Sequence, residues 1–170
     1  MKKLIVLCAA LLSVSVWAKA PAISSAQLVG SWQCHATHSL DDGFELTSDY
    51  YVHASADGKF QEEHPSLILR QKQSGEAVHY RAKSQGTWTV ADDILQESIQ
   101  TVLFEHIKRP KPLSEEMEVM DGMMVLMMNA QIKKKVVEQS EHRMEMPDAD
   151  TLLLHELEDN IQTRCVRIKS

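Results

Sequence analysis

The chain has 170 residues, 44% apolar and 25% charged, and a formal net charge of −6. These values are typical of one globular domain and argue against wholesale disorder. The acidic balance and the 5% of aromatic residues exclude the basic face and the stacking platform that nucleic-acid binding requires. Motifs of the GxGxxG, HExxH, CxxC and GxSxG types are absent from the sequence, so we expect no enzyme and no cofactor.

Residues 1–18 have the features of a secretory signal peptide. Lys2 and Lys3 provide a positive start, and a short apolar run follows up to the small residue Ala18, after which we expect cleavage. A polar leader at 19–27 and a single barrel domain at 28–170 are then predicted. The run is too short to span a bilayer, so no integral membrane span is expected after processing. The predicted location is the periplasm of a Gram-negative-type cell, or outside the cell.

Cleavage changes the cysteine count and the charge. It removes Cys8 and two lysines, which leaves Cys34 and Cys165 together with 16 basic and 24 acidic residues, a net charge of −8. An even pair of cysteines in an oxidising compartment predicts a disulfide bond. This bond would join the first strand of the mature chain to the last one.

Alternation of apolar and polar residues, which is typical of half-buried strands, dominates the rest of the chain. The strand that includes Val52 and Ala54 is followed by Gly58, which suits a three-residue turn. That turn pairs Ala54 with Phe60 and Val52 with Glu62. Further strands are predicted at 66–72, 77–84, 86–91, 94–106, 134–146, 151–157 and 161–168. Short antiparallel strands at this spacing indicate a sandwich or a barrel.

Residues 114–130 are the exception to this alternation. Ser114 can cap a helix, and five methionines follow at helical spacing. These methionines are Met117, Met120, Met124, Met127 and Met128. Asp121-Gly122 between apolar runs is also typical of a hairpin turn, but the helical spacing extends over the whole segment and favours a helix. We expect the methionine side chains to cover an apolar opening of the barrel.

The start of the folded part, Gly30-x-Trp32, resembles the lipocalin-like, or calycin, proteins. The resemblance implies an antiparallel up-and-down β-barrel, here of about eight or nine strands. It also implies that a basic residue near the end of the chain, Arg164 or Arg167, packs over Trp32. In the family, one strand usually follows the late helix, whereas three strands are predicted after it here.

The resemblance further implies a non-enzymatic binding module that holds a small hydrophobic molecule inside the barrel. Small barrels of this kind hold one small ligand in the interior. The candidate cavity residues are Tyr50, Val52, Phe60, Val78, Tyr80, Trp88, Met124 and Met127.

Two other functions remain open at this point. The first is a protein-interaction module, such as an envelope protein or a periplasmic enzyme inhibitor whose acidic surface suits a basic target. The second is a copper or zinc carrier that uses methionine or histidine. His35 and His38 form the closest histidine cluster, but they point to opposite faces of a strand. Adjacent acidic residues such as Glu62-Glu63 are expected on solvated faces.

Overall fold

The computed structural model describes residues 22–40, 43–134, 138–158 and 161–169. The predicted signal peptide at 1–18 and the start of the predicted leader lie outside the described residues. Two helices and eight strands are found in the described part of the chain. In chain order they are α1 (Ser25–Leu28), β1 (Gly30–Ser39), β2 (Phe44–Ala54), β3 (Lys59–Gln71), β4 (Ala77–Ala91), β5 (Ile94–Lys108), α2 (Glu115–Lys134), β6 (Glu138–Asp148), β7 (Thr151–Glu156) and β8 (Gln162–Arg167).

The eight strands form a closed, antiparallel, up-and-down barrel. Each strand pairs with the next one along the chain, and β8 returns to pair with β1. In this closing pair Cys34 lies directly opposite Cys165, and the two form a disulfide across 131 residues of sequence. The predicted barrel and disulfide are therefore confirmed. Three strands follow α2, as the sequence pattern predicts.

The turn between β2 and β3 confirms the predicted register. Ala54 pairs with Phe60, and Val52 pairs with Glu62. Gly58 has a φ of +76°, a conformation that glycine adopts without the steric cost a side chain would add. Because side chains alternate along a strand, this register places Phe60 and Glu62 on the same inner face as Val52.

Two predicted strand breaks are wrong. The predicted strands 77–84 and 86–91 are one continuous strand, β4. Gly86 is not in a turn; the register shifts there, and an added Cβ would lie 2.1 Å from the carbonyl oxygen of Ser98. The glycine thus permits a close approach of two backbones. Strand β3 likewise runs through Pro65 at a second register shift, where proline's missing N–H is tolerated.

The methionine-rich segment forms helix α2, so the hairpin alternative at Asp121-Gly122 is wrong. The helix extends four residues past the predicted end at 130. Ser114 caps its start, since the Ser114 hydroxyl accepts a hydrogen bond of 3.3 Å from the backbone N–H of Met117. Acidic residues in the first turn add a favourable interaction with the helix dipole. In the described residues, no helix has the length and apolarity needed to cross a membrane.

Helix α2 covers the barrel end at which β2 and β4 begin and β3 ends. Met117 and Met124 are buried there in an apolar cluster with residues of these strands. The fully buried strand members of this cluster are Leu69, Val78 and Tyr80. The expectation that methionine side chains cover an apolar opening agrees with this packing.

Asp121 fixes the position of α2 on the barrel. This side chain is 4% exposed and accepts three hydrogen bonds, from the Tyr80 hydroxyl at 2.7 Å, His106 Nε2 at 2.8 Å and Arg109 Nε at 2.7 Å. Burial alone would raise the pKa of Asp121, but the hydrogen bonds from Arg109, His106 and Tyr80 hold that pKa below its ordinary value. The buried carboxylate is therefore charged and compensated.

Candidate ligand-binding site

The barrel interior contains a cavity of about 390 Å³. This volume is within the range of sites that hold small molecules. The wall is largely apolar because every second residue of each strand points inward. On β1, for example, Trp32, Cys34 and Ala36 line the cavity, whereas Gln33 and His35 are exposed on the outside.

Four of the eight predicted cavity residues lie in this wall. They are Tyr50, Val52, Phe60 and Trp88, from β2, β3 and β4. Trp88 is fixed by a hydrogen bond of 3.0 Å from its Nε1 to the carbonyl oxygen of Lys59. Aromatic faces therefore form a substantial part of the interior.

The other four predicted residues lie elsewhere. Val78, Tyr80 and Met124 are buried in the cluster beneath α2 and lie outside the cavity wall. Met127 is 54% exposed on the outer face of α2. Met128, one position further around the helix, lines the cavity instead.

Glu62 and His64 form the first of two carboxylate–imidazole pairs in the wall. They lie two residues apart on β3, and His64 Nε2 is 3.6 Å from Glu62 Oε2. The His64 ring stacks on Tyr50 with ring centres 4.5 Å apart, and its Nδ1 shares a hydrogen bond of 2.8 Å with the Ser48 hydroxyl. The hydroxyl of Ser84 donates to Glu62. These contacts hold both side chains against the cavity.

Glu97 of β5 and His142 of β6 form the second pair, with His142 Nε2 3.4 Å from Glu97 Oε2. Glu156 of β7 lines the same cavity. Burial raises the pKa of Glu97, although His142 partly offsets this effect. For His142, burial alone lowers the pKa, but Glu97 and the charges of Glu156 and Glu62 raise it overall.

Tyr50 lies close to both pairs. Burial raises the pKa of its hydroxyl well above the ordinary value, and the negative charges of Glu62, Glu97 and Glu156 raise it further. The Tyr50 hydroxyl is therefore neutral. Together, the side chains of these two pairs, Tyr50 and Glu156 form a polar cluster inside a largely apolar cavity.

This polar cluster was not predicted from the sequence. The expected solvated face for Glu62-Glu63 is wrong for Glu62, which lines the cavity. It fits only Glu63, which pairs with Lys83 outside at 2.8 Å. The predicted pairing of Val52 with Glu62 was the available signal, since it places Glu62 on the inner face. Similarly, Glu97 alternates with Leu95 and Ile99 in the sequence, as an inward residue must.

The opposite end of the barrel is closed by the predicted Gly30-x-Trp32 element. The guanidinium of Arg167 lies over the Trp32 ring, 4.1 Å from its centre, whereas Arg164 is exposed on the outer face. Arg167 is therefore the basic residue that the resemblance implies. Gly30 has a φ of +132°, and an added Cβ would lie 2.9 Å from Arg167 Nη1, so only glycine leaves room for this contact.

The end of the predicted leader also contributes to the closed end. Ile23 packs against the apolar core around Trp32, and the Trp32 indole donates a hydrogen bond of 2.8 Å to the carbonyl oxygen of Leu28. Arg167 donates to the carbonyl oxygens of Gln27 and Val29. These hydrogen bonds fix the short helix α1 and the residues beside it to the last strand, β8.

Histidines lie on both the inside and the outside of the barrel. His35 pairs outside with Asp49 at 2.7 Å, and His38 lines the cavity, as expected for opposite faces of a strand. Over the described ranges, no group of three or more histidine, cysteine or acidic side chains is arranged to hold a metal ion.

No protein-family model matches the chain, and no curated protein sequence matches it significantly.

Proposed function

We propose that this protein is a non-enzymatic binding module that acts in the periplasm or outside the cell and holds a small, mainly apolar molecule inside its barrel. The cavity of about 390 Å³ with aromatic and aliphatic walls is the observation that carries this proposal. Removing an apolar molecule from water into such a space is favourable by roughly 25 cal/mol per Å² of buried surface. The lipocalin-like start of the chain, with Arg167 over Trp32, supports the same assignment.

A disulfide across the barrel seam fits this role. Cys34 and Cys165 both line the cavity, and their bond holds the first and last strands together. A wall that is closed covalently is preorganised for a ligand, which lowers the ordering cost of binding. Disulfides of this kind persist in oxidising compartments, in agreement with the exported location proposed here.

A titration with N-phenyl-1-naphthylamine, an uncharged apolar dye that brightens in apolar surroundings, tests this function. We expect saturable binding of one dye per chain. The variant Ala36→Phe, which places a ring in the cavity, should abolish this signal, while Gln33→Phe on the exposed face of the same strand should not. Urea unfolding of each variant verifies that both fold. Equal binding by wild type and Ala36→Phe would contradict the proposal.

An interaction module is the second candidate, and one observation favours it. The outer face of α2 exposes several large apolar side chains, and clusters of this kind mark contact surfaces. They are Val119, Met123, Leu126 and Met127. The variant Leu126→Lys, at the most exposed of these positions, distinguishes the two candidates. Dye binding that is lost in Leu126→Lys but retained in Ala36→Phe would assign the apolar site to the helix surface.

A further inference from the structure

We propose that the cavity selects molecules that carry a positively charged nitrogen, an amine or a guanidinium, on an apolar body. This inference rests on the proposed binding function and names the ligand class of the same cavity. Three carboxylates line this cavity: Glu62 on β3, Glu97 on β5 and Glu156 on β7. They come from three separate strands and line the same cavity.

One carboxylate of the wall, that of Glu156, lies outside the two carboxylate–imidazole pairs. Among the described residues, the lining includes three glutamates and three histidines but no lysine or arginine. His64 lies 3.6 Å from Glu62, and His142 lies 3.4 Å from Glu97. In the described part of the chain, no cationic side chain lies within 4.0 Å of Glu156. Glu156 is therefore the carboxylate of the wall that a cationic ligand group could pair with.

Glu156 is partly buried, and a carboxylate that lines a cavity without a cationic partner loses part of the solvation that water provides. A cationic ligand head removes this cost by supplying the missing partner, and the low polarity of the surrounding wall strengthens the attraction. An anionic ligand such as a fatty acid would meet three carboxylates instead. The site thus discriminates among apolar molecules by the charge of the head.

The walls beside the carboxylates suit the rest of such a molecule. Trp88, Phe60 and Tyr50 offer aromatic faces that pack against an apolar body and attract a nearby cation. The Ser84 hydroxyl, which donates to Glu62, adds a polar group to the same wall. The charged nitrogen of an apolar amine would therefore contact the carboxylates, and its apolar body would contact the aromatic side chains.

Three matched probes test this inference by isothermal titration calorimetry on the purified protein. They share a naphthalene body and differ in the head: 2-(1-naphthyl)ethylamine is cationic, 2-(1-naphthyl)ethanol is neutral and 1-naphthaleneacetate is anionic. We expect the amine to bind about tenfold more tightly than the alcohol, as one additional charge-assisted contact predicts, and the acetate to bind most weakly. This comparison needs no variant and is independent of any folding defect.

Variants then assign the effect to residues. Glu156→Gln and Glu97→Gln should each reduce the affinity for the amine by about fivefold or more and leave the affinity for the alcohol unchanged. The control Glu63→Gln, next to Glu62 but on the outer face, should change neither affinity. If the alcohol binds as tightly as the amine, or if all variants keep the wild-type preference, the inference fails while the binding function stands. If none of the three probes and no neutral dye binds, the proposed function itself fails.

Discussion

Arg167, three residues from the end of the chain, lies with its guanidinium 4.1 Å from the centre of the Trp32 ring. The contact joins the last strand to the first, on the same pair of strands that the disulfide links. The same guanidinium donates to two backbone carbonyl groups that precede β1. Arg167 thus ties the last strand and the segment before β1 to Trp32 at the end of the barrel opposite α2.

Replacing Arg167 with methionine keeps much of the length of the side chain but removes its charge and hydrogen bonds. We expect the free energy of unfolding to fall by about 1–3 kcal/mol, because the carbonyl groups lose charged donors and Trp32 loses the stacked cation. Urea unfolding followed by tryptophan fluorescence measures the change. Arg164→Met, on the outer face of the same strand, is the control and should stay within about 0.5 kcal/mol of wild type. Equal losses in both variants would contradict the assigned role.

The Cys34–Cys165 disulfide should contribute strongly to stability. Removing it with the double variant Cys34→Ala, Cys165→Ala should lower the free energy of unfolding by about 2–5 kcal/mol, since the bond closes a long loop in the unfolded chain. Chemical denaturation with and without a reductant gives the same comparison for the wild-type protein. An unchanged midpoint in reductant, with two free thiols measured, would argue against a stabilising role.

Asp121 should be essential for holding α2 on the barrel. Asp121→Asn removes the charge that Arg109 and His106 face, so we expect a loss of about 1–3 kcal/mol and faster amide hydrogen exchange in α2. Glu118→Gln changes an exposed carboxylate on the same helix that lies 3.8 Å from Arg109 and should have little effect. Exchange rates in α2 that match wild type in both variants would exclude this role for Asp121.

Two methionines on α2 provide a matched test of packing. Met124 is 9% exposed and Met127 is 54% exposed. Met124→Ala should therefore destabilise the protein by about 2–4 kcal/mol, because it leaves a space in the cluster beneath the helix. Met127→Ala should change stability by less than about 0.5 kcal/mol. Thermal and urea unfolding measure both, and the reverse order would show that the helix packs through its other face.

The Glu97–His142 pair should make stability depend on pH. Burial raises the pKa of Glu97 above its ordinary value of 4.5. Burial alone would lower the pKa of His142, but the hydrogen bond and charge of Glu97 raise that pKa above its ordinary value of 6.5. Both groups bind protons more readily in the folded state, so their contribution is present at low pH and is lost as pH rises through their folded pKa values.

We therefore expect the free energy of unfolding to decline as the pH rises above the ordinary pKa values of 4.5 and 6.5, and Glu97→Gln to flatten that decline. Urea unfolding at several pH values measures the slope. The control is Glu63→Gln. Pairing with Lys83 lowers the pKa of Glu63, so this residue changes the free energy of unfolding only at more acidic pH. A slope in Glu97→Gln as steep as in wild type would contradict the role of this pair.

The alternation of side chains made the barrel predictable from the sequence. The register of Ala54 with Phe60, the cap at Ser114 and the cysteine pair follow from local patterns that the three-dimensional structure preserves. The predicted strand break at Gly86 was wrong because glycine occurs both in turns and at close backbone contacts. Only the position of Ser98 on the neighbouring strand distinguishes the two uses.

The polar part of the cavity was harder to predict for a physical reason. A glutamate in a strand is usually solvated, and sequence alone does not reveal that the barrel closes around Glu62 or Glu97. Met127 and Met128 likewise differ by one position, about 100° around the helix axis, and only the docking of α2 decides which of them faces inward.

Amide chemical-shift changes caused by N-phenyl-1-naphthylamine in the isotope-labelled protein test most directly whether the ligand binds inside the barrel. We predict that the largest changes fall on inward-facing residues of the cavity, such as Ala36, Ser84 and Thr163. Their outward neighbours and the exposed face of α2 should change little. Shifts concentrated at Met123, Leu126 and Met127, with the interior unaffected, would contradict a ligand site inside the barrel.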